Sequence, residues 1–161
     1  MVKWMRLAKN QYLGFFALGL VLVLLQELPY AVMPFVRLPA NPLMEMQDKS
    51  VLLNAMEKVL GISCIVLMLF LVRGDAAWFS LRAAREKLFL GLAIGALMGY
   101  YIGWILYFCG QQGLALILLT LVAMPPLYYA LIGLWRKNYP LAVLGGLFLM
   151  AHLCNVWNNL R

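Results

Sequence analysis

The sequence predicts an all-α, polytopic membrane helix bundle, and three observations support that reading. Of 161 residues, 65% are apolar and only 12% charged, where soluble domains carry about 25% charged residues. The apolar residues gather into five stretches, each close to the ~20 residues a helix needs to cross a hydrocarbon core. The thirteen basic residues, finally, lie mostly on one side of the bilayer if those five stretches alternate in direction.

The first stretch, residues 12–36, follows a basic head of Lys3, Arg6 and Lys9, with Trp4 and Tyr12 placed as headgroup anchors. Head and run have the order of a signal peptide, whose removal would leave four spans. No small-x-small cleavage site follows, so the segment reads as retained. Pro29 and Pro34 remove two amide donors near its end. The helix must kink or stop there, and the freed carbonyls need protein or water partners because lipid supplies none.

The second stretch, 42–72, starts where Asn41 precedes Pro42, an N-cap followed by proline at the first helical position. Gln47, Ser50, Asn54, Glu57, Gly61 and Cys64 recur at gaps of three and four. They form one helical face, polar at one end and small in the middle. Lys58 stands beside this stripe, placed to pair with Glu27, Glu57 or Asp48. The following loop sets Trp78 and Phe79 among Arg82, Arg85 and Lys87, the pattern of a short amphipathic segment on headgroups.

The third stretch, 88–109, carries Gly91, Gly95, Gly99 and Gly103 at strict four-residue spacing. Such a stripe lets another helix approach closely, either within the chain or from a second copy or partner. Tyr100, Tyr101, Trp104 and Tyr107 crowd the outer half of this helix. After a turn at Gly110–Gly113, the fourth stretch, 114–135, contains Pro125 and Pro126. They deprive the carbonyls near Leu121 and Val122 of amide donors, predicting a kink absorbed by packing, with Thr120 or water as partner. The fifth, 140–157, packs through Ala142, Gly145 and Gly146, while Phe148, His152, Asn155 and Asn159 share a face.

Alternating helices place Lys3, Arg6, Lys9, Arg73, Arg82, Arg85, Lys87, Arg136 and Lys137 on one side against Asp75 and Glu86. The other side holds Arg37, Lys49, Lys58 and Arg161 against Glu27, Glu45, Asp48 and Glu57. The positive-inside rule then makes the N-terminus cytoplasmic in a multi-pass protein of the cell membrane. A net charge of +7 would suggest nucleic acid for a soluble chain. Here the placement reads as topology and contact with anionic headgroups, and no nucleic-acid partner is expected. Cys64 reads as a small apolar group, while Cys109 and Cys154 fall near one face, where either two free thiols or a bridge fits.

Glu27, Asn54, Glu57, Lys58, Tyr100, Tyr101, His152 and Asn155, with Gln26, collect in the outer half of the bundle. A charge at the membrane centre costs about 2.5–3.5 kcal/mol on insertion scales, so such residues call for partners or purpose. The expectation is a polar pocket near the extracytoplasmic face that binds or transports a small molecule or lipid. Glu27 and Glu57 would meet a cationic or hydroxylated head, and the tyrosines would supply an aromatic wall. A neutralised structural network is the bland alternative. An intramembrane enzyme on a lipid or sterol-like substrate would use Glu57, His152 and Glu27 as acid and base. A non-catalytic subunit of a larger complex would dock through the glycine face. One histidine without a close-spaced ligand pair gives no metal site or haem ligation, and no cofactor is expected.

Overall fold

The computed structural model describes residues 2–74 and 79–161, so Asp75 and Trp78 lie outside the described residues. Among the described residues, five helices are long and apolar enough to cross a membrane. They are α1 (Ala17–Val32, prolonged by a 3₁₀ turn at Met33–Phe35), α2 (Val51–Phe70), α3 (Ala84–Phe108), α4 (Leu114–Arg136) and α5 (Tyr139–Leu160). Their outward faces carry exposed leucine, isoleucine, valine and methionine, among them Leu24, Val59, Leu92, Ile102, Val143 and Met150. Such faces suit a hydrocarbon solvent.

The chain is not purely helical. Residues 12–15, expected inside the first helix, belong instead to a strand. β1 (Val2–Ala8) and β2 (Gln11–Phe15) form an antiparallel hairpin closed by Lys9 and Asn10, and β3 (Leu71–Arg73) pairs with the other edge of β2. Short apolar runs fit either period, and here α2, on ending at Phe70, offers an extended backbone that β2 can bond. Tyr12 and Phe15 suit a pleated surface. Gly14 is needed at the hairpin, because a Cβ there would lie 2.1 Å from the Val2 carbonyl oxygen. The basic residues cluster around this sheet end: Lys3 Nζ donates to Gly74 O at 2.8 Å, and Arg73 Nη1 donates to Lys137 O at 3.3 Å.

The second helix also starts later than its proline suggests. Asn41 does open a turn, its Oδ1 accepting from Met44 N at 3.3 Å, but the turn is not continued. Side chains from other helices claim the backbone that a longer helix would use. Tyr107 Oη accepts from Leu43 N at 3.3 Å and donates to Asn41 Oδ1 at 2.7 Å, while Asn159 Oδ1 accepts from Lys49 N at 3.0 Å. Helix α2 begins instead at Ser50, whose hydroxyl caps Leu53 N. The segment between Asn41 and Lys49 thus roofs the end of the bundle opposite the sheet.

The four-glycine stripe of α3 does not form a continuous seam within the chain. A Cβ on Gly103 would lie 2.2 Å from Thr120 Oγ1, so α3 and α4 touch closely there, and at Gly99 it would make ordinary contact with Met124. Gly91 and Gly95 face open space. Helix backbones approach closely between α4 and α5, where Cβ atoms on Gly133 and Gly145 would meet the backbone nitrogens of Ala142 and Ala130 at 2.6 and 2.7 Å. Gly146, expected in that seam, is open. Buried Asn138 ties this hairpin down: Oδ1 caps Leu141 N, and Nδ2 donates to Leu67 O at 3.1 Å.

Candidate functional site

A cavity of about 410 Å³ occupies the half of the bundle away from the sheet, lined by all five helices and roofed by Leu43 and Met46. That volume falls within the range that holds small organic ligands. Its walls are mostly apolar: Ile62, Ile65, Leu121, Val122, Phe148 and Val156. Its polar groups are Gln26 and Glu27 from α1, Glu57 and Lys58 from α2, Tyr100 and Trp104 from α3, Tyr129 from α4 and His152 from α5. Tyr30 and Ile62 line the cavity yet are 57% and 63% exposed, so it opens sideways between α1 and α2.

Prolines shape two of its walls. Pro29 has no N–H for the Leu25 carbonyl four residues earlier, and Tyr101 Oη donates to that carbonyl at 2.7 Å instead. Freed from one helical bond, α1 keeps Gln26 buried and Glu27 half-buried toward the bundle. In α4 the turn before Pro125 and Pro126 is π-wound over Ile117–Val122, with Thr120 Oγ1 donating to Leu116 O at 2.6 Å. The wider turn accommodates the proline pair. Neither Pro125 nor Pro126 can donate to the carbonyls of Leu121 and Val122, and both of those residues line the cavity.

Two polar chains meet the cavity. In the first, Tyr129 Oη donates to Gln26 Oε1 at 2.5 Å and lies 3.3 Å from Glu27 Oε1. Among the described residues Glu27 forms no ion pair. In the second, Asn155 Nδ2 donates to Glu57 Oε2 at 2.6 Å, and the other carboxylate oxygen sits 3.1 Å from His152 Nδ1. The latter contact has ion-pair distance without the angle of a well-formed hydrogen bond. Asn159 Nδ2 donates to Asn155 Oδ1 at 3.3 Å, and Asn159 in turn accepts from Lys49 N, so the carboxylate is braced through α5 to the roof. His152 stacks on Phe148, centroids 5.2 Å apart, and Phe148 packs over the bare backbone of Gly61.

The structure therefore brings Glu27, Glu57, Lys58, Tyr100 and His152 into one cavity, with Asn155 directly behind Glu57. Two expected members stand apart. Asn54 donates to Asp48 Oδ2 at 2.5 Å outside the cavity, and Tyr101 is engaged by the α1 backbone. Lys58 forms no ion pair among the described residues and stays exposed at the mouth. Cys64, Cys109 and Cys154 are free thiols. Tyr129 was not a sequence candidate. Its sequence signal is weak: it stands one turn past Pro125, but Tyr128 beside it is equally buried and reads the same way. Among the described residues no group of three His, Cys, Asp or Glu side chains is placed to hold a metal ion. No family model, curated protein or solved structure matches this chain.

Proposed function

We propose that this chain is a multi-pass protein of the cell membrane, with the sheet end cytoplasmic, that binds an amphiphilic small molecule or lipid entering sideways from the bilayer. The single observation that carries this reading is the form of the cavity. Its polar groups cluster at Gln26, Glu27, Glu57 and His152, its other walls are apolar, its top is closed by Leu43 and Met46, and its mouth lies between two lipid-facing helices. A water-soluble ligand would need an opening at the roof. An amphiphile can place its head on the polar groups and leave its tail between α1 and α2.

Topology supports the same arrangement. The basic residues around the sheet favour a cytoplasmic sheet end under the positive-inside rule, and the cavity would then lie in the outer leaflet. The test is a thermal-shift screen of detergent-purified protein against lipids and lipid-like amphiphiles, beside Glu27→Gln and His152→Ala. A ligand present at a hundred times its Kd stabilises by about 2.7 kcal/mol. Stabilisation of the wild type that is lost in either variant supports the reading. Variants that merely melt earlier, with no ligand shifting the wild type, would reduce the cluster to structural glue.

A second reading is favoured by the Asn155–Glu57–His152 chain. A carboxylate held from behind and set against one imidazole nitrogen is how a general base is oriented. In that reading His152 takes or returns a proton on a lipid substrate. Turnover of a lipid extract that survives Asn155→Ala poorly and Glu57→Gln not at all would support it.

A further inference from the structure

The two carboxylates of the cavity are not equivalent. Glu57 lies toward the roof end of α2, and the chain itself occupies its oxygens, with Asn155 Nδ2 at 2.6 Å on one and His152 Nδ1 at 3.1 Å from the other. Glu27 lies near the middle of the span Ala17–Phe35, half-buried against the cavity, and forms no ion pair among the described residues. The hydroxyl of Tyr129 stands 3.3 Å from it, but that hydroxyl has one proton, and the shorter contact of 2.5 Å takes it to Gln26 Oε1. The asymmetry holds whether His152 is neutral or charged, because His152 stands against Glu57. A carboxylate at that depth is costly without a counter-charge, and Glu27 is the one the chain leaves without it.

The cavity opens to the bilayer beside Glu27. Tyr30 stands one turn further along the same face of α1, 57% exposed in the mouth, and meets Trp104 edge to face at 6.4 Å and 69°. Its ring is open to a group bound at Glu27. Resting on the amphiphile reading above, we propose that the cavity takes an amphiphile with a cationic nitrogen head, an ammonium carried on an apolar tail. The charge pairs with Glu27 and lies against the ring of Tyr30, and the tail leaves between α1 and α2. An anionic head would meet two carboxylates. A neutral alcohol can donate one hydrogen bond to Glu27 but leaves its charge uncompensated. Lys58, exposed at the mouth, forms no ion pair with Glu27. A proton is the other cation able to neutralise Glu27, and it competes with the head for the same oxygens.

The test reads apparent affinities from concentration-dependent thermal shifts of the detergent-purified protein with a tail-matched series: alkyltrimethylammonium, alkylphosphocholine, alkanol and alkanoate. The alkyltrimethylammonium should bind about tenfold or more tightly than the alkanol and the alkanoate. Glu27→Gln should remove that advantage and leave alkanol binding unchanged, which also shows that the variant is folded. Glu57→Gln, which alters the carboxylate already held by the chain, should keep the preference. Tyr30→Ala should weaken the ammonium about two- to fivefold, and Tyr30→Phe should not. The phosphocholine arm separates two sources of the same head: affinity equal to that of the simple ammonium marks a phospholipid, weaker affinity a single-chain amine, and the cationic nitrogen stands in both. If the alkanol or the alkanoate binds as tightly as the ammonium, or if the preference survives Glu27→Gln, the cationic head falls while the amphiphile reading stands. If no member of the series shifts the protein, both fall.

Discussion

Tyr101 shows at the scale of one residue how proline chemistry is absorbed in this molecule. Pro29 leaves the Leu25 carbonyl without its helical donor, and Tyr101 Oη fills the vacancy from α3 at 2.7 Å. Tyr101→Phe therefore leaves a carbonyl unpaired in an apolar setting and should cost about 1–2 kcal/mol. In a Pro29→Ala background the restored amide takes over the carbonyl, and the same substitution should cost less than half as much. Unfolding measurements on the two single variants and the double one check this; equal costs in both backgrounds would show that the hydroxyl is not replacing the missing amide. The need for a partner was legible in the sequence, since Pro29 can be read directly. Which tyrosine supplies it was not, because Tyr100 and Tyr101 differ only by the rotation of α3.

At the scale of elements, periodicity carried far where neighbours did not intervene. The face shared by Phe148, His152, Asn155 and Asn159 reappears intact: Phe148 stacks on His152, His152 and Asn155 hold Glu57, and Asn159 holds Asn155. Helix starts were less legible. Residues 12–15 became a strand because β3 offered its backbone, and residues 42–50 lost their helix to Tyr107 and Asn159. Both outcomes depend on partners more than fifty residues away. The glycine spacing of α3 marked a face but not its occupant, since only Gly103 meets α4 closely. Gly103→Ala should then lower thermal stability, by about 1–3 kcal/mol as typical of overpacking. Gly91→Ala and Gly95→Ala, with open space ahead of them, should leave the monomer as stable or up to about 1 kcal/mol more so. Equal losses at all four positions, read by thermal melting in detergent, would mean that a second helix covers the whole stripe.

At the scale of the whole molecule, charge and hydropathy together predict an orientation that can be checked on intact cells. Cys109, exposed at the end of α3 away from the sheet, should react with a membrane-impermeant maleimide added from outside. A cysteine placed at Lys9 in a Cys109→Ser background should react only after the membrane is opened. The reverse pattern would invert the topology and put the cavity in the inner leaflet. The cavity itself was partly foreseeable. Glu27, Glu57, Lys58 and His152 were recognisable as ionisable residues in apolar runs, but the lateral mouth depends on how α1 and α2 part beyond Gly19 and Met68, a relation between helices that no single run contains.

Photo-crosslinking reads out directly whether the cavity takes an amphiphile. A long-chain amphiphile bearing a diazirine near its polar head would be incorporated with the protein into vesicles, irradiated, and the adducts mapped by mass spectrometry. Adducts should concentrate on cavity residues such as Tyr30, Ile62, Trp104 and Tyr129 and fall with excess unlabelled amphiphile. The open apolar groove between α2 and α5, lined by Leu53, Met56, Leu147, Met150 and Cys154, serves as the internal comparison because it offers lipid contact without polar groups. Adducts spread equally over that groove and the cavity, or untouched by competitor, would mean that the cavity is no specific site.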